Sequence, residues 1–192
     1  MMGESDRERW DSKYAGKLLP DRLTPNAWLA ENRHLLPSGR AIDLACGLGH
    51  NAIWLARQGW QVDAWDISGE GLKLAAALAE LEGAAVQWSA CDLEQQPLPV
   101  NAYDVIVTTY YWQRDGLIDG ILAALKPGGM LVYETFTLDQ LQQPGNHLRD
   151  DRFLLRPNEL WERFSTLRVR KYRDGIFDGK AVASLLAEKC ER

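Results

Sequence analysis

The sequence predicts an α/β protein with a Rossmann-like, doubly wound, mostly parallel sheet. Three observations predict it. From Ala41 onward, short strand-like runs alternate with helix-like stretches, the pattern of βαβ units. The first run ends in a glycine turn, Cys46-Gly47-Leu48-Gly49, that opens a helix. The tail holds two strand-like runs with Asp-Gly pairs between them, which read as an antiparallel hairpin closing the sheet.

Taken in order, residues 5–36 read as one or two helices interrupted around Leu19-Pro20 and Thr24-Pro25. Thr24 and Pro25 form an N-cap and first-turn pair for a helix running to about His34. Ala41–Leu44 is the first strand, and a helix follows from about Asn51 to Gln58, stopped by Gly59. Gln61–Trp65 is the second strand, after which Ser68 caps an Ala/Leu-rich helix ending near Gly83. Ala85–Ser89 and Tyr103–Thr108 are the third and fourth strands. A helix over Leu117–Leu125 and a Lys126-Pro127-Gly128-Gly129 turn lead into Met130–Thr135. A short helix near Pro157–Phe164 precedes the tail runs, Thr166–Tyr172 and Lys180–Ala187. Crossovers between parallel strands are right-handed, which makes the doubly wound arrangement the natural one.

A chain of 192 residues suits one domain. It divides into a helical N-terminal cap (1–36), a ligand-binding core (37–136) and a C-terminal helix and hairpin (137–192). The net charge of −5 argues against a general nucleic-acid binder, which normally presents a basic face. Two basic stretches, Arg149–Arg156 and Arg163–Arg173, read as solvated faces that are also able to meet an anionic acceptor. The three cysteines, Cys46, Cys91 and Cys190, form no CxxC pair, which fits a reduced, cytoplasmic setting and no structural metal. No apolar run reaches the ~20 residues of a membrane span, and no signal peptide is visible.

The chemistry gathers at the strand ends. Gly47 and Gly49 let the backbone approach a ligand, and the following helix offers free N–H groups. Gly47, Gly49 and Ala52, with Asp66 beyond, also satisfy a dinucleotide fingerprint, so a nicotinamide or flavin is a rival ligand. Asp43 favours another reading: a carboxylate there repels a pyrophosphate but accepts from an ammonium, directly or through water. Asp66 ends the second strand, where it suits two ribose hydroxyls. Asp92, in Cys91-Asp92-Leu93, suits an exocyclic amine.

Asp43-x-x-x-Gly47-x-Gly49, Asp66, Cys91-Asp92-Leu93, Tyr103-Asp104-Val105-Ile106 and Lys126-Pro127-Gly128-Gly129 resemble the ordered motifs of class I S-adenosylmethionine-dependent methyltransferases. Trp10-Asp11-Ser12-Lys13-Tyr14 and Val62-Asp63-Ala64-Trp65-Asp66 resemble the tellurite-resistance and thiopurine methyltransferase-like group. The resemblance implies a seven-stranded sheet with an antiparallel last strand, and S-adenosylhomocysteine as product. It implies that Asp43, Ala45, Gly47 and Gly49 hold the methionyl end, with Thr108 beneath it. Asp66 and Ile67 would face ribose and adenine, and Asp92 and Leu93 the adenine edge. It brings Trp10 and Tyr14 over the cofactor, and Tyr110, Tyr111 and Trp112 beside the methyl group and acceptor. Ala45 departs from the family, standing where the first glycine of the usual turn belongs.

The fourth strand is followed by Thr109-Tyr110-Tyr111 and lacks the Asn/Asp-Pro-Pro-aromatic motif of amine-directed nucleic-acid enzymes. No His–acid pair is visible near it, which points to a small acceptor that is soft or already anionic (a thiol, selenium or tellurium species), or to one deprotonated by Tyr110 or Tyr111. His147 is a further candidate base. A nucleic-acid or protein methyltransferase and a non-catalytic binder remain the alternatives, and monomer and homodimer are both open.

Overall fold

The computed structural model describes residues 3–114, 116–148 and 150–190, and the side chains from Asp6 onward. Seven strands form one sheet in the order β3-β2-β1-β4-β5-β7-β6. They are β1 Arg40–Leu44, β2 Gln61–Asp66, β3 Val86–Ala90, β4 Tyr103–Thr109, β5 Leu125–Phe136, β6 Arg168–Phe177 and β7 Lys180–Glu188. β1 to β5 pair in parallel, β7 runs antiparallel to β5, and β6 runs antiparallel to β7. The chain leaves β1 in one direction along the sheet for β2 and β3 and returns on its other side for β4. That reversal opens a crevice beyond the carboxyl ends of β1 and β4, where ligands settle in doubly wound folds.

Both faces of the sheet are covered, so the central strands are buried throughout. Along β4 and β5 the side chains alternate between two cores. Ile106, Leu131 and Tyr133 face one side with α5 (Leu117–Ala124) and α6 (Glu159–Arg163). Val105, Val107 and Val132 face the other with α2 (Ala27–Glu31) and α3 (His50–Arg57). α4 (Gly69–Leu81) packs Leu78 and Ala79 beside Ile53 and Trp88. α1 (Gly3–Tyr14) is almost wholly polar and rests on α4 through a few contacts.

Two local expectations are corrected. The cap of α2 is Asn26, whose side chain accepts from the Leu29 N–H, and regular helix ends at Glu31, with a single 3-10 turn to Leu35. Thr24 is drawn away because its N–H donates to His50 Nδ1 at 3.2 Å. In the tail, Asp174 and Gly175 lie inside β6, and Asp178-Gly179 alone makes the turn, pairing Phe177 with Lys180. Both turn residues have positive φ (51° and 73°), the requirement of a type I′ hairpin. Ser68 caps α4 as the sequence predicts, accepting from the Gly71 N–H at 3.0 Å. No helix among the described residues is long and apolar enough to cross a membrane.

Candidate active site

The turn after β1 is held by its backbone. Cys46 N–H donates to Trp65 O at 3.1 Å, and Gly49 N–H to Cys46 O at 2.8 Å. Three residues adopt left-handed φ: Ala45 (54°), Gly47 (53°) and Gly49 (73°). For Gly49 the demand is also steric, since a Cβ there would lie 2.5 Å from the Trp88 ring. A Cβ on Gly47 would lie 2.8 Å from Tyr14 Oη.

Around this turn opens a cleft of ≈ 1250 Å³. Of the residues singled out by sequence, Trp10, Tyr14, Ala45, Gly47, Asp66, Ile67, Asp92, Leu93, Tyr110, Tyr111 and Trp112 line it. Asp43, Gly49 and Thr108 do not, because each lies one layer below. Asp43 is buried under the turn, where Oδ2 accepts from Ala52 N–H at 3.2 Å and Oδ1 has no partner. Thr108 points into the core, and its neighbour Thr109 reaches the wall, accepting from Asn51 Nδ2 at 3.0 Å. Gly49 serves packing against Trp88.

Asp43 and Asp66 share one trend. Burial pushes Asp43 up to about 8, and the charge of Asp66 adds to the shift. Burial also raises Asp66, although Ser68 N–H (2.9 Å, Oδ1) and Gly47 N–H (2.7 Å, Oδ2) stabilise its ionised form. Asp92 is tied to its own loop by Glu94 N–H and Gln95 Nε2, each at 2.9 Å. Burial, with Asp66 nearby, holds the Tyr14 phenol at about 12, so it is protonated at neutral pH.

α1 closes this half of the cleft. Its anchor is Asp11, part of the Trp10–Tyr14 motif but given no role there: Oδ1 accepts from Ser68 Oγ at 2.6 Å and Glu70 N–H at 3.1 Å, completing the cap of α4. Negative charge is favourable at a helix N-terminus. Trp10 and Tyr14, one turn apart, stack at 6.0 Å.

The other half is assembled at the ends of β4, β5, β6 and β7, and most of it went unread in the sequence. Glu134 is buried and accepts four hydrogen bonds. Oε1 receives Asn26 Nδ2 (2.7 Å) and Tyr110 Oη (3.3 Å), and Oε2 receives Ser184 Oγ (2.6 Å) and Arg173 Nη2 (3.1 Å). Arg173 lies between the rings of Trp28 (4.6 Å) and Phe177 (4.2 Å). Tyr110 has φ 56°, stacks on Phe136 at 4.9 Å and accepts from Lys180 Nζ at 3.1 Å. Burial raises the Tyr110 phenol, and Lys180 works against that rise.

The remaining candidates scatter. His50 lines the cleft with Nδ1 accepting from Thr24 N–H, and burial lowers its pKa; His147 also lines the cleft. Arg152 pairs with Asp150, while Arg149 lies outside the described residues. Among the described residues no cluster of three or more His, Cys, Asp or Glu could hold a metal.

The cleft fits S-adenosylmethionine by the chemistry of its donors. That molecule offers an ammonium, a sulfonium, two ribose hydroxyls and an amine, all seeking acceptors or negative charge. Here Asp43, with an open buried oxygen, Asp66 and Asp92 stand in a row at the ends of β1, β2 and β3. A pyrophosphate would meet Asp66 and Asp92 in the cleft and be repelled.

Comparison with known proteins agrees. Residues 41–129 match the family described as a methyltransferase domain. An uncharacterized methyltransferase of Synechocystis is 31% identical over 124 residues, covering 62% of this chain and 54% of its own length. A ribosomal RNA small subunit methyltransferase C from Alcanivorax borkumensis matches over 38 residues at 47% identity, 20% of this chain. The chain thus spans about half of the first of these curated relatives and 12% of the second. In fold it is similar to the [4+2]-cyclase SpnF (TM-score 0.72, 18% identity, 99% of this chain and 97% of that one). It is similar also to TehB from Haemophilus influenzae (TM-score 0.66, 20% identity, 95% and 66%). The matched domain covers just under half of this chain, and in that stretch, in sheet order and in its carboxylate-lined crevice the chain is similar to S-adenosylmethionine-dependent methyltransferases.

Proposed function

We propose that the protein transfers the methyl group of S-adenosylmethionine to a small-molecule acceptor and releases S-adenosylhomocysteine. The observation that carries this reading is the joining of two unlike half-sites in one cleft: Asp66 and Asp92, with Asp43 one layer beneath, at one end, and Tyr110, Phe136 and Phe177 at the other. When bound, the cofactor supplies a methyl group on a sulfonium, ready for in-line displacement.

The chain's own residues hold and shield. Asp66 accepts from the ribose, and Asp92, Leu93 and Ile67 frame the adenine. Asp43, beneath the turn, gives up its proton as the methionyl ammonium arrives and then supplies the counter-charge. Tyr110, Tyr111 and Trp112 flank the acceptor, where an aromatic face beside a sulfonium is worth on the order of 0.5–2 kcal/mol. Alignment of donor and acceptor within ~3–3.5 Å and exclusion of water then carry most of the rate.

A soft acceptor such as a thiol, selenium or tellurium species remains compatible with this site. Its claim rested on the lack of a base beside β4, and Glu134 beneath Tyr110 removes that ground. Incubation with methyl-labelled S-adenosylmethionine tests the function against thiols, selenite, phenols, amines and total RNA. Label in a small molecule supports the reading. Label in RNA alone replaces it with a nucleic-acid enzyme. Tight binding without any transfer replaces it with a binding protein.

A further inference from the structure

Lysine has donors and no acceptor, so the contact between Lys180 Nζ and Tyr110 Oη fixes the direction of the neighbouring bond. Tyr110 Oη accepts from Lys180, and its own proton points to Glu134 Oε1 at 3.3 Å. A phenol on the cleft wall is therefore wired to a buried carboxylate. The wiring is held from several sides. Arg173 and Ser184 fix Oε2, Asn26 fixes Oε1, and Tyr110 N–H donates to Glu134 O at 2.8 Å. Tyr110 keeps a left-handed φ of 56°, a conformation that non-glycine residues adopt when the surroundings impose it. That backbone turns the ring into the cleft and onto Phe136. Tyr110, Phe136 and Phe177 all line the cleft and give planar rings a place to stack.

We propose that this half of the cleft takes an aromatic acceptor through a protonated hydroxyl, with Tyr110 as the catalytic contact and Glu134 as the positioning residue that receives the proton through it. The inference rests on the methyl-transfer reading above. In the step, a lone pair on the acceptor oxygen forms the new O–CH3 bond while the S–CH3 bond breaks, its electron pair staying on sulfur. The acceptor's O–H proton passes to Tyr110 Oη as the Tyr110 proton passes to Glu134 Oε1. The oxygen becomes strongly acidic as it bonds to carbon, so a carboxylate suffices as the sink. Glu134 ends protonated and returns its proton to solvent by the same route after product leaves.

The test uses the full chain, S-adenosylhomocysteine, and two probes of similar shape: phenol, protonated at pH 8.5, and 4-nitrophenol, mostly ionised there. Calorimetry first asks whether wild type, Tyr110→Phe, Glu134→Gln and Glu134→Asp bind S-adenosylhomocysteine. Failure of wild type to bind defeats the methyl-transfer reading itself. With that complex formed, perturbation of the 4-nitrophenolate absorbance near 400 nm reports occupancy of the acceptor half without any turnover. Wild type and Tyr110→Phe are expected to bind it within about threefold of each other.

In turnover, Tyr110→Phe and Glu134→Gln are expected to lower kcat for phenol about 100-fold with little change in KM, the scale of lost acid–base assistance. For 4-nitrophenolate, which carries no proton to remove, the same variants should lose at least about tenfold less activity than they lose on phenol. Glu134→Asp should restore part of the phenol rate. Tyr110→Phe keeps the ring stack and the buried carboxylate, so it carries the test should Glu134→Gln fold poorly. Equal losses on both probes, or no binding and no methylation of either probe by a wild type that binds S-adenosylhomocysteine, would overturn the proposal.

Discussion

The two halves of the cleft are built from opposite kinds of sequence information. The carboxylate half comes from Asp43 to Leu93, three successive strand ends and the turns that leave them. The Tyr110 half gathers Asn26, Tyr110, Glu134, Arg173, Lys180 and Ser184 from five separate stretches of chain. The first half holds its charges partly desolvated and waiting for a cation. The second has already neutralised its buried carboxylate with Arg173 and spends no acceptor capacity of Glu134 on a ligand. A pocket for an invariant cofactor can be local in sequence, whereas a pocket for the acceptor is set by how distant elements meet.

The largest effect should come from the charge under the turn. The folded-state value of Asp43, about 8, lies above its ordinary 3.8, so folded protein keeps a proton that unfolded chain releases. Between pH 4 and 8 wild type should therefore lose stability relative to Asp43→Asn, at up to about 1.4 kcal/mol per pH unit, with the difference flat above pH 8. Urea midpoints of the two proteins across that range measure it. A pH-independent difference would show that the first half is not held desolvated. A cationic ligand favours ionised Asp43, so affinity for S-adenosylhomocysteine should rise from pH 6 to 8 in wild type and lose that slope in Asp43→Asn.

Arg173→Ala strikes the other half. It leaves Glu134 buried without its cation and removes the guanidinium from between two rings, and should cost about 3 kcal/mol in urea unfolding. Affinity for S-adenosylhomocysteine should stay within about threefold of wild type when measured below the transition. A fall in affinity to match the loss of stability would mean that the halves are one unit.

Asp66→Ala should do the reverse. Two backbone N–H groups, of Gly47 and Ser68, lose their acceptor. Affinity should fall by about 2 kcal/mol, some 30-fold, with a smaller change in stability. Ala45→Gly sharpens the comparison from the other end. It removes a side chain held at φ 54° at a gain of about 1 kcal/mol, set against the greater freedom of glycine in the unfolded chain. The net change in melting should be a degree or two at most, with cofactor affinity equal or better.

How much of this was legible follows the same division. Strand-to-helix punctuation located β1 to β4 within a residue, because glycine and Ser68 act on their own neighbours, whereas β5 begins at Leu125 and takes in the Lys126-Pro127-Gly128-Gly129 segment read as a turn before Met130. The Asp-Gly pair that turns the tail was present but ambiguous, since Asp174-Gly175 carries the same letters and lies inside β6. Pairing of Phe177 with Lys180 is a property of the sheet, not of the dipeptide. Thr24-Pro25 looked the better cap than Asn26 because His50, which takes the Thr24 N–H, is 26 residues away.

In the site, the glycine turn and Asp66 read clearly, while Asp43 and Thr108 carried no mark that they sit one layer down. Tyr110 was visible as an aromatic after β4. Glu134 looked like one polar residue in a strand, and Arg173 like one charge in a solvated run. Only the register of β5 with β7 and β7 with β6, placing Ser184 between Glu134 and Arg173, gives them meaning.

The central claim is that the cleft is made for a cationic amino acid joined to a nucleoside. Isothermal titration of the purified chain at pH 8 with S-adenosylhomocysteine and, separately, with NAD tests it most directly. The account predicts one S-adenosylhomocysteine bound per chain and no heat from NAD. Saturable NAD binding with S-adenosylhomocysteine silent would contradict it.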